Sequence, residues 1–286
     1  MKKVSHYHGD SFFFHQQVAA AKKNSKKDPS YTQRIQAMTN VSKSQFVEYD
    51  SRFASDTLEG MSQLQLTEQA KEDFKRLYRF SDNVFADLYD KLSCDEHLHT
   101  YPYCPLCDIS EAHTLDHILP QSAYPVLSDH PRNLIRCCHS CNGWKSDEWL
   151  EKGQRRFLDL YIDDLPALQM LFVRMDVAGD VVTYDYYVSD VNHPDADIYR
   201  KYRNTFEKLH LRERYIHQTD EEISSLQSII KINLNVYKST DAQIKEVIRK
   251  SAADEQQRHG INYWRAVLKL AICDNEQVFS LVRNAK

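Results

Sequence analysis

No run in this sequence approaches about 18 uninterrupted apolar residues, so no membrane-spanning helix is expected. The first residues, Met1-Lys2-Lys3-Val4-Ser5-His6-Tyr7-His8, turn polar too soon to supply the apolar core of a secretory signal. A cytoplasmic protein without membrane attachment follows as the expectation. The chain shows no internal repeat. A strong charge excess is missing too: 37 basic against 41 acidic residues leave a net charge of −4, which does not advertise a nucleic-acid binder. Nor is there an even cysteine count. Seven cysteines in a chain of this kind argue against a disulfide framework.

What is present is an ordinary globular composition over 286 residues, 42% apolar and 27% charged, which excludes wholesale disorder. That length suits one large or two modest domains. Charge is unevenly spread. Residues 1–50 carry 8 positive and 4 negative charges, 201–286 carry 15 and 11, and 51–200 carry 14 and 26. Solvated charged faces account for much of this. The sharper reading is that a polyanion is gripped by the flanks or by a partner protein. Lys22, Lys23, Lys26 and Lys27 on one side, and Lys201, Arg203, Lys208, Arg212 and Arg214 on the other, are the candidates for backbone contacts.

The stretch Lys22-Lys23-Asn24-Ser25-Lys26-Lys27-Asp28-Pro29-Ser30 reads as a linker or basic arm. Helical spacing appears at Phe74, Leu77 and Tyr78, and again at Val84, Phe85, Leu88, Tyr89 and Leu92 behind an N-cap at Ser81. Two β-rich runs, 170–175 and 181–188, flank Ala178-Gly179-Asp180 and predict a hairpin. From about 195 the pattern is helical. Thr219-Asp220-Glu221-Glu222 and Thr240-Asp241-Ala242-Gln243 read as capping boxes, placing helix starts near 220 and 241. Gly260 separates two further helices. The expected division is a helical region with its basic arm over 1–93, a cysteine-bearing core over 94–150, and a hairpin with C-terminal helices over 151–286.

Five of the seven cysteines fall between 104 and 141. Cys104-Pro105-Leu106-Cys107 is one C-x-x-C turn and Cys138-His139-Ser140-Cys141 a second. Two thiolates at this spacing wrap one side of a tetrahedral zinc ion, and two such turns close the site. Cys137 in place of Cys138 would give the longer C-x-x-x-C spacing and stays open as the second choice. Four thiolates leave no open position, so such a zinc is structural. Cys94 and Cys273 read as buried thiols.

Inside this clamp lie Leu115-Asp116-His117-Ile118-Leu119-Pro120-Gln121-Ser122, Arg132-Asn133-Leu134-Ile135-Arg136 and Cys141-Asn142-Gly143-Trp144-Lys145-Ser146-Asp147. With the paired cysteine turns, these words resemble the HNH endonuclease superfamily, whose core is a β-hairpin plus helix around one catalytic metal. They are also similar to the HNH domain of the RNA-guided CRISPR nuclease, which lacks the cysteine clamp. Asn142 stands where the family name carries its last histidine. The likeness is strong over about 100–148. It continues weakly through 160–216, in a layout that looks like the HNH subunits of bacterial anti-phage systems of the Septu type, encoded beside an ABC or SMC-like ATPase. Residues 1–60 have no counterpart in that layout.

The resemblance implies a helix-rich α+β protein with a zinc-stapled ββα-metal core and a following β-hairpin, cutting DNA with magnesium or manganese. A neutral imidazole can take a proton from water near neutral pH, and the resemblance makes His117 that base. Hard divalent ions take oxygen ligands, which it assigns to Asp116 and Asn142. It has Asn133 bond the backbone and orient His117, and Lys145 touch phosphate. Adjacent strand residues point to opposite faces, so a local kink or loop must aim Asp116 and His117. His113 and His139 read as surface or supporting residues, His130-Pro131 as a turn, and His6-Tyr7-His8 and His97-Leu98-His99 as incidental pairs. No reader module accompanies the core, so little sequence specificity is expected. An RNA-cleaving toxin-type effector and a non-catalytic zinc-stapled nucleic-acid-binding adaptor remain as alternatives.

Overall fold

The computed structural model describes residues 1–93 and 101–285. Cys94, His97 and His99 lie outside the described residues. With 53% helix and 12% strand, the latter in small antiparallel hairpins, the class is α+β. Among the described residues no helix is long and apolar enough to cross a membrane. The chain divides into two units, Lys3–Asp164, and Leu165–Lys286 together with Met1–Lys2.

The first unit opens with helices α1 (Ser11–Ala21), α2 (Tyr31–Ala37), α3 (Thr39–Ala54), α4 (Glu68–Lys75) and α5 (Asn83–Ser93). Strands β1 (Thr114–His117) and β2 (Leu134–Cys137) follow, then α6 (His139–Lys145) and the short pair β3 (Leu150–Glu151) and β4 (Gln154–Arg155). The division between the two units falls after Asp164. One apolar cluster joins Phe14 and Val18 of α1, Ile35 of α2, Phe74 of α4 and Phe85 of α5 to Leu115 of β1 and Leu134 of β2. The reason is size: two four-residue strands bury too little to stand alone, and the N-terminal helices cover the hairpin's apolar face.

The segment 22–30 is not an open linker. Ser25 and Asp28 exchange backbone hydrogen bonds, Lys22 pairs with Asp82 at 2.6 Å, and Asp28 accepts from both Arg34 and Arg76. Lys23, Lys26 and Lys27 stay exposed at its tip. Helix α5 also starts later than a Ser81 cap would place it, with the Asp82 carbonyl accepting from Phe85 N and Ala86 N.

In the second unit β5 (Leu171–Ala178) and β6 (Val181–Val188) pair from Leu171↔Val188 to Ala178↔Val181, and Gly179 at φ +62° makes the turn. Five helices follow: α7 (Ala196–Lys208), α8 (Leu211–Asn235), α9 (Asp241–His259), α10 (Trp264–Asp274) and α11 (Glu276–Asn284). Thr240 and Gln243 form the expected reciprocal cap of α9, and Gly260 ends that helix at φ +94°. Thr219 does not start a helix. It lies inside α8, its hydroxyl donating to Tyr215 O at 2.9 Å, because Tyr215, Leu226 and Ile230 keep one buried face running through it. Cys273 is a buried thiol, as expected, and burial pushes it up to about 11.

Asn262, in the turn before α10, is a hinge pin that periodicity does not reveal. Its Oδ1 accepts from Met170 N at 2.6 Å and Leu171 N at 2.9 Å, while Nδ2 donates to Leu168 O at 3.0 Å. The side chain is buried, so Asn262→Ala removes three backbone hydrogen bonds and strands the Met170 and Leu171 N–H groups away from water. The expected loss is about 3 kcal/mol in urea denaturation. A change within experimental error would mean that water takes over those bonds.

Candidate functional site

Strand β1 pairs antiparallel with β2 in four consecutive positions, Asp116 opposite Ile135 and His117 opposite Leu134. The ladder is unbroken as far as His117, so no kink precedes it. The two side chains keep separate neighbourhoods, as regular strand geometry demands. Asp116, buried, accepts from Lys145 Nζ at 2.9 Å. His117 turns toward Tyr78, whose ring meets it edge-on at 4.7 Å, and toward the loop 118–133.

That loop is closed by Asn133. Its Oδ1 accepts from Leu119 N at 2.8 Å, and its Nδ2 donates to Leu119 O at 3.0 Å and Leu127 O at 3.2 Å. Ile118 N adds a bond to Asn133 O at 2.8 Å, extending the ladder by one step. Asn133 has no exposure at all, so these bonds are made without competition from water. Beside it His130 caps the 3-10 turn Pro131–Asn133, accepting from Arg132 N at 3.3 Å.

The closed loop presents the Ser128 carbonyl to His117 Nε2 at 2.8 Å. A carbonyl only accepts, so Nε2 carries the proton and Nδ1 keeps its lone pair. The Gln121 amide lies 3.1 Å from the same nitrogen, where its oxygen rather than its NH2 matches a donor. Burial lowers the His117 pKa below its ordinary value, against the opposing pull of Ser128 and Asp116. A neutral imidazole with a defined tautomer is therefore what the fold holds in place.

Lys145 was expected on phosphate; in this structure its ammonium sits on Asp116 and also donates to His117 O at 2.6 Å. Asn142 lies three residues earlier on α6, half-buried, on the helix face that Lys145 turns to β1. Asp116 is thus paired with a cation, with Asn142 one turn earlier on α6.

Next to this site, Cys104, Cys107, Cys138 and Cys141 are all buried, their sulfurs within 4.8 Å of one another. Four sulfurs around zinc stand about 3.8 Å apart at the usual Zn–S distance. Cys107 and Cys138 are 3.9 Å apart, far too distant for a disulfide and close to that value. The group could hold a structural metal such as zinc. Between the two candidates, Cys138 belongs to it; Cys137 directs its thiol to the Cys138 carbonyl. Cys138 also caps α6, its sulfur accepting from Cys141 N at 3.4 Å, so one residue starts the helix and serves the cluster. Burial pushes the Cys104 thiol far above its ordinary value; coordination must displace its proton.

The remaining histidines are peripheral. His113 and His139 are exposed with rings 6.4 Å apart, and the His6 and His8 rings meet at a tilt, 4.5 Å apart, without joining a metal-competent group among the described residues. Of the basic candidates, Lys22 is tied to Asp82, Lys201 is buried against Asp197, Arg203 lies near Glu207, and Arg212 pairs with Asp185. Ser128, Tyr78 and Gln121 were not assigned to the site from sequence, where Tyr78 appeared only in a helical spacing. Only Gln121 lay within a quoted motif; a backbone carbonyl leaves no signal in residue type.

No protein-family profile matches the chain, and no solved structure matches it. It is similar to protein ea31 of Escherichia phage lambda, 26% identical over 195 residues, which cover 62% of this chain. The match spans 63% of that protein's length, less than two thirds.

Metal analysis of the purified protein should find one zinc per chain. Cys138→Ser should lose it and unfold more readily, whereas Cys137→Ser should retain it. Equal metal content in both variants would overturn the choice of ligands.

Proposed function

We propose that this chain is an HNH-type endonuclease that hydrolyses phosphodiester bonds in DNA. The observation that carries the reading is the state of His117: neutral by burial, protonated at Nε2 against Ser128 O, and adjacent in sequence to the buried carboxylate of Asp116. A zinc-stapled scaffold alone needs the cysteines but neither that tautomer nor that carboxylate. The motif wording that resembles HNH nucleases supports the same conclusion.

In this reading His117 Nδ1 accepts a proton from water, and the resulting hydroxide attacks phosphorus in line with the leaving 3′ oxygen. The P–O3′ bond breaks and the 3′ oxygen takes up a proton from solvent, leaving a 5′ phosphate and a 3′ hydroxyl. A magnesium or manganese ion on Asp116 and Asn142 would supply charge neutralisation at the leaving and non-bridging oxygens. Asn133 keeps the loop closed, so the Ser128 carbonyl does not leave His117 during turnover. Lys145 balances the charge of Asp116 and stands ready for phosphate. Exposed Lys23, Lys26 and Lys27 supply local positive charge on a chain whose centre is acidic.

The acidic centre also favours a protein partner that brings DNA to the site. The Septu-like layout points to an ABC or SMC-type ATPase and to cytoplasmic anti-phage defence. The phage-encoded relative fits a protein exchanged between bacteria and their viruses.

The test is plasmid nicking by the zinc-loaded protein with magnesium or manganese, beside EDTA controls and single-stranded RNA. Metal-dependent nicking is expected, with His117→Ala slower by on the order of a hundredfold or more. Cleavage that survives in His117→Ala would sink the assignment, and preference for RNA would transfer it to the RNA-cleaving class.

A further inference from the structure

The Ser128 carbonyl that holds His117 is itself gripped from both sides. Toward the N-terminus, Ser128 Oγ donates to Pro125 O at 2.6 Å, and Ser128 N donates to the same oxygen at 3.2 Å. Toward the C-terminus the rigid peptide plane ends at the Cα of Asp129. Asp129 Oδ2 meets His15 Nδ1, from helix α1, at 2.7 Å.

This pair is unusually deep. His15 and Asp129 have side-chain exposures of 3% and 0%, so both have left water. Asp129 Oδ1 is buried without a hydrogen-bond partner, which makes His15 the anchor of that carboxylate. Burial alone would lower the His15 pKa, but the charge and hydrogen bond of Asp129 outweigh it and hold it up. The His15 ring is clasped between Phe12, stacked at 5.6 Å, and Phe46 of α3 at 5.1 Å. Its direction is thus set by the N-terminal helices, and removal of one partner would leave an uncompensated buried charge. Burying such a pair is costly, and an apolar contact would anchor α1 just as well. What the apolar contact could not do is fix the rotation of the Ser128–Asp129 peptide.

We propose that His15 is a positioning residue for His117. Through Asp129 it sets the Ser128 carbonyl, which keeps the His117 proton on Nε2 and the lone pair of Nδ1 in place. The catalytic consequence rests on the endonuclease reading above; the effect on the His117 ring does not. The long N-terminal segment, absent from the resembled layout, thereby acquires a role in the site.

The test uses the full zinc-loaded chain labelled with 15N-histidine, whose long-range proton–nitrogen spectra report the tautomer of each ring; the His117 signals are assigned by their loss in His117→Ala. Wild type should show His117 as the Nε2–H tautomer with a slowly exchanging ring proton. His15→Phe keeps the aromatic clasp but donates nothing. It should mix the His117 tautomers, speed exchange of that proton, and lower kcat for nicking by on the order of a hundredfold with little change in KM. His15→Asn, which restores an N–H near Nδ1, should recover both readouts. Should His15→Phe not fold, Asp129→Asn weakens the same pair without changing its size and is read the same way. An unchanged His117 tautomer and exchange rate in a folded variant would overturn the proposal, leaving His15 as core packing. If wild type cleaves no nucleic acid, the nuclease reading fails while the ring spectra still decide the positioning.

Discussion

The convergence of four cysteine sulfurs between the turn at 104–107 and the start of α6 is the constraint on which the candidate site depends. A metal bound there would hold together the two ends of a 30-residue insert whose strands are only four residues each. Strands so short cannot resist fraying. At the other end the distal loop is ordered by Asn133, with three backbone hydrogen bonds. The reactive candidates lie between those two closures, Asp116 facing α6 and His117 facing the loop.

The second closure relies on the N-terminal helices. Tyr49 of α3 donates to Arg132 O at 3.1 Å, and Arg132 in turn reaches Asp50, Tyr7 O and Gly9 O. Tyr49 and Phe46 both pack on the ring of His130. Buried bonds of this kind are strong because water does not compete, and they are unforgiving because each lost partner leaves a polar group stranded. A loop held this way exchanges tolerance to substitution for a single orientation. Residues 3–60 are accordingly part of the machinery that shapes the insert.

Charge follows a similar logic. Much of the acidity in the chain centre is internally paired: Arg155 with Asp163, Lys145 with Asp116, Arg174 and Arg212 with Asp185. The same pairing removes Lys22, Lys201 and Arg212 from the residues available to a polyanion. Formal charge along the sequence therefore overstates the attraction at the flanks, whereas pairs within 51–200 are already counted in the acidic balance of that stretch.

Residue identity and short-range spacing were enough to determine the β5–β6 hairpin with Gly179 at its turn, the cap of α9 at Thr240, and the two C-x-x-C turns that supply the cysteine cluster. Each is a local arrangement in which a few neighbouring residues carry their own geometry. The tertiary structure decided what local patterns cannot. A capping pattern at Thr219 was overridden by a buried helix face, since packing outweighs one hydroxyl bond. The choice of Cys138 over Cys137 came from which sulfur points inward. The division of the chain came from which helices cover a hairpin too small to bury its own face. The tautomer of His117 came from a backbone carbonyl 11 residues away, and the anchor of that carbonyl from a histidine 114 residues from Asp129. Hydrogen-bond partners so distant in sequence leave no periodic or spacing signal, because only burial brings them together.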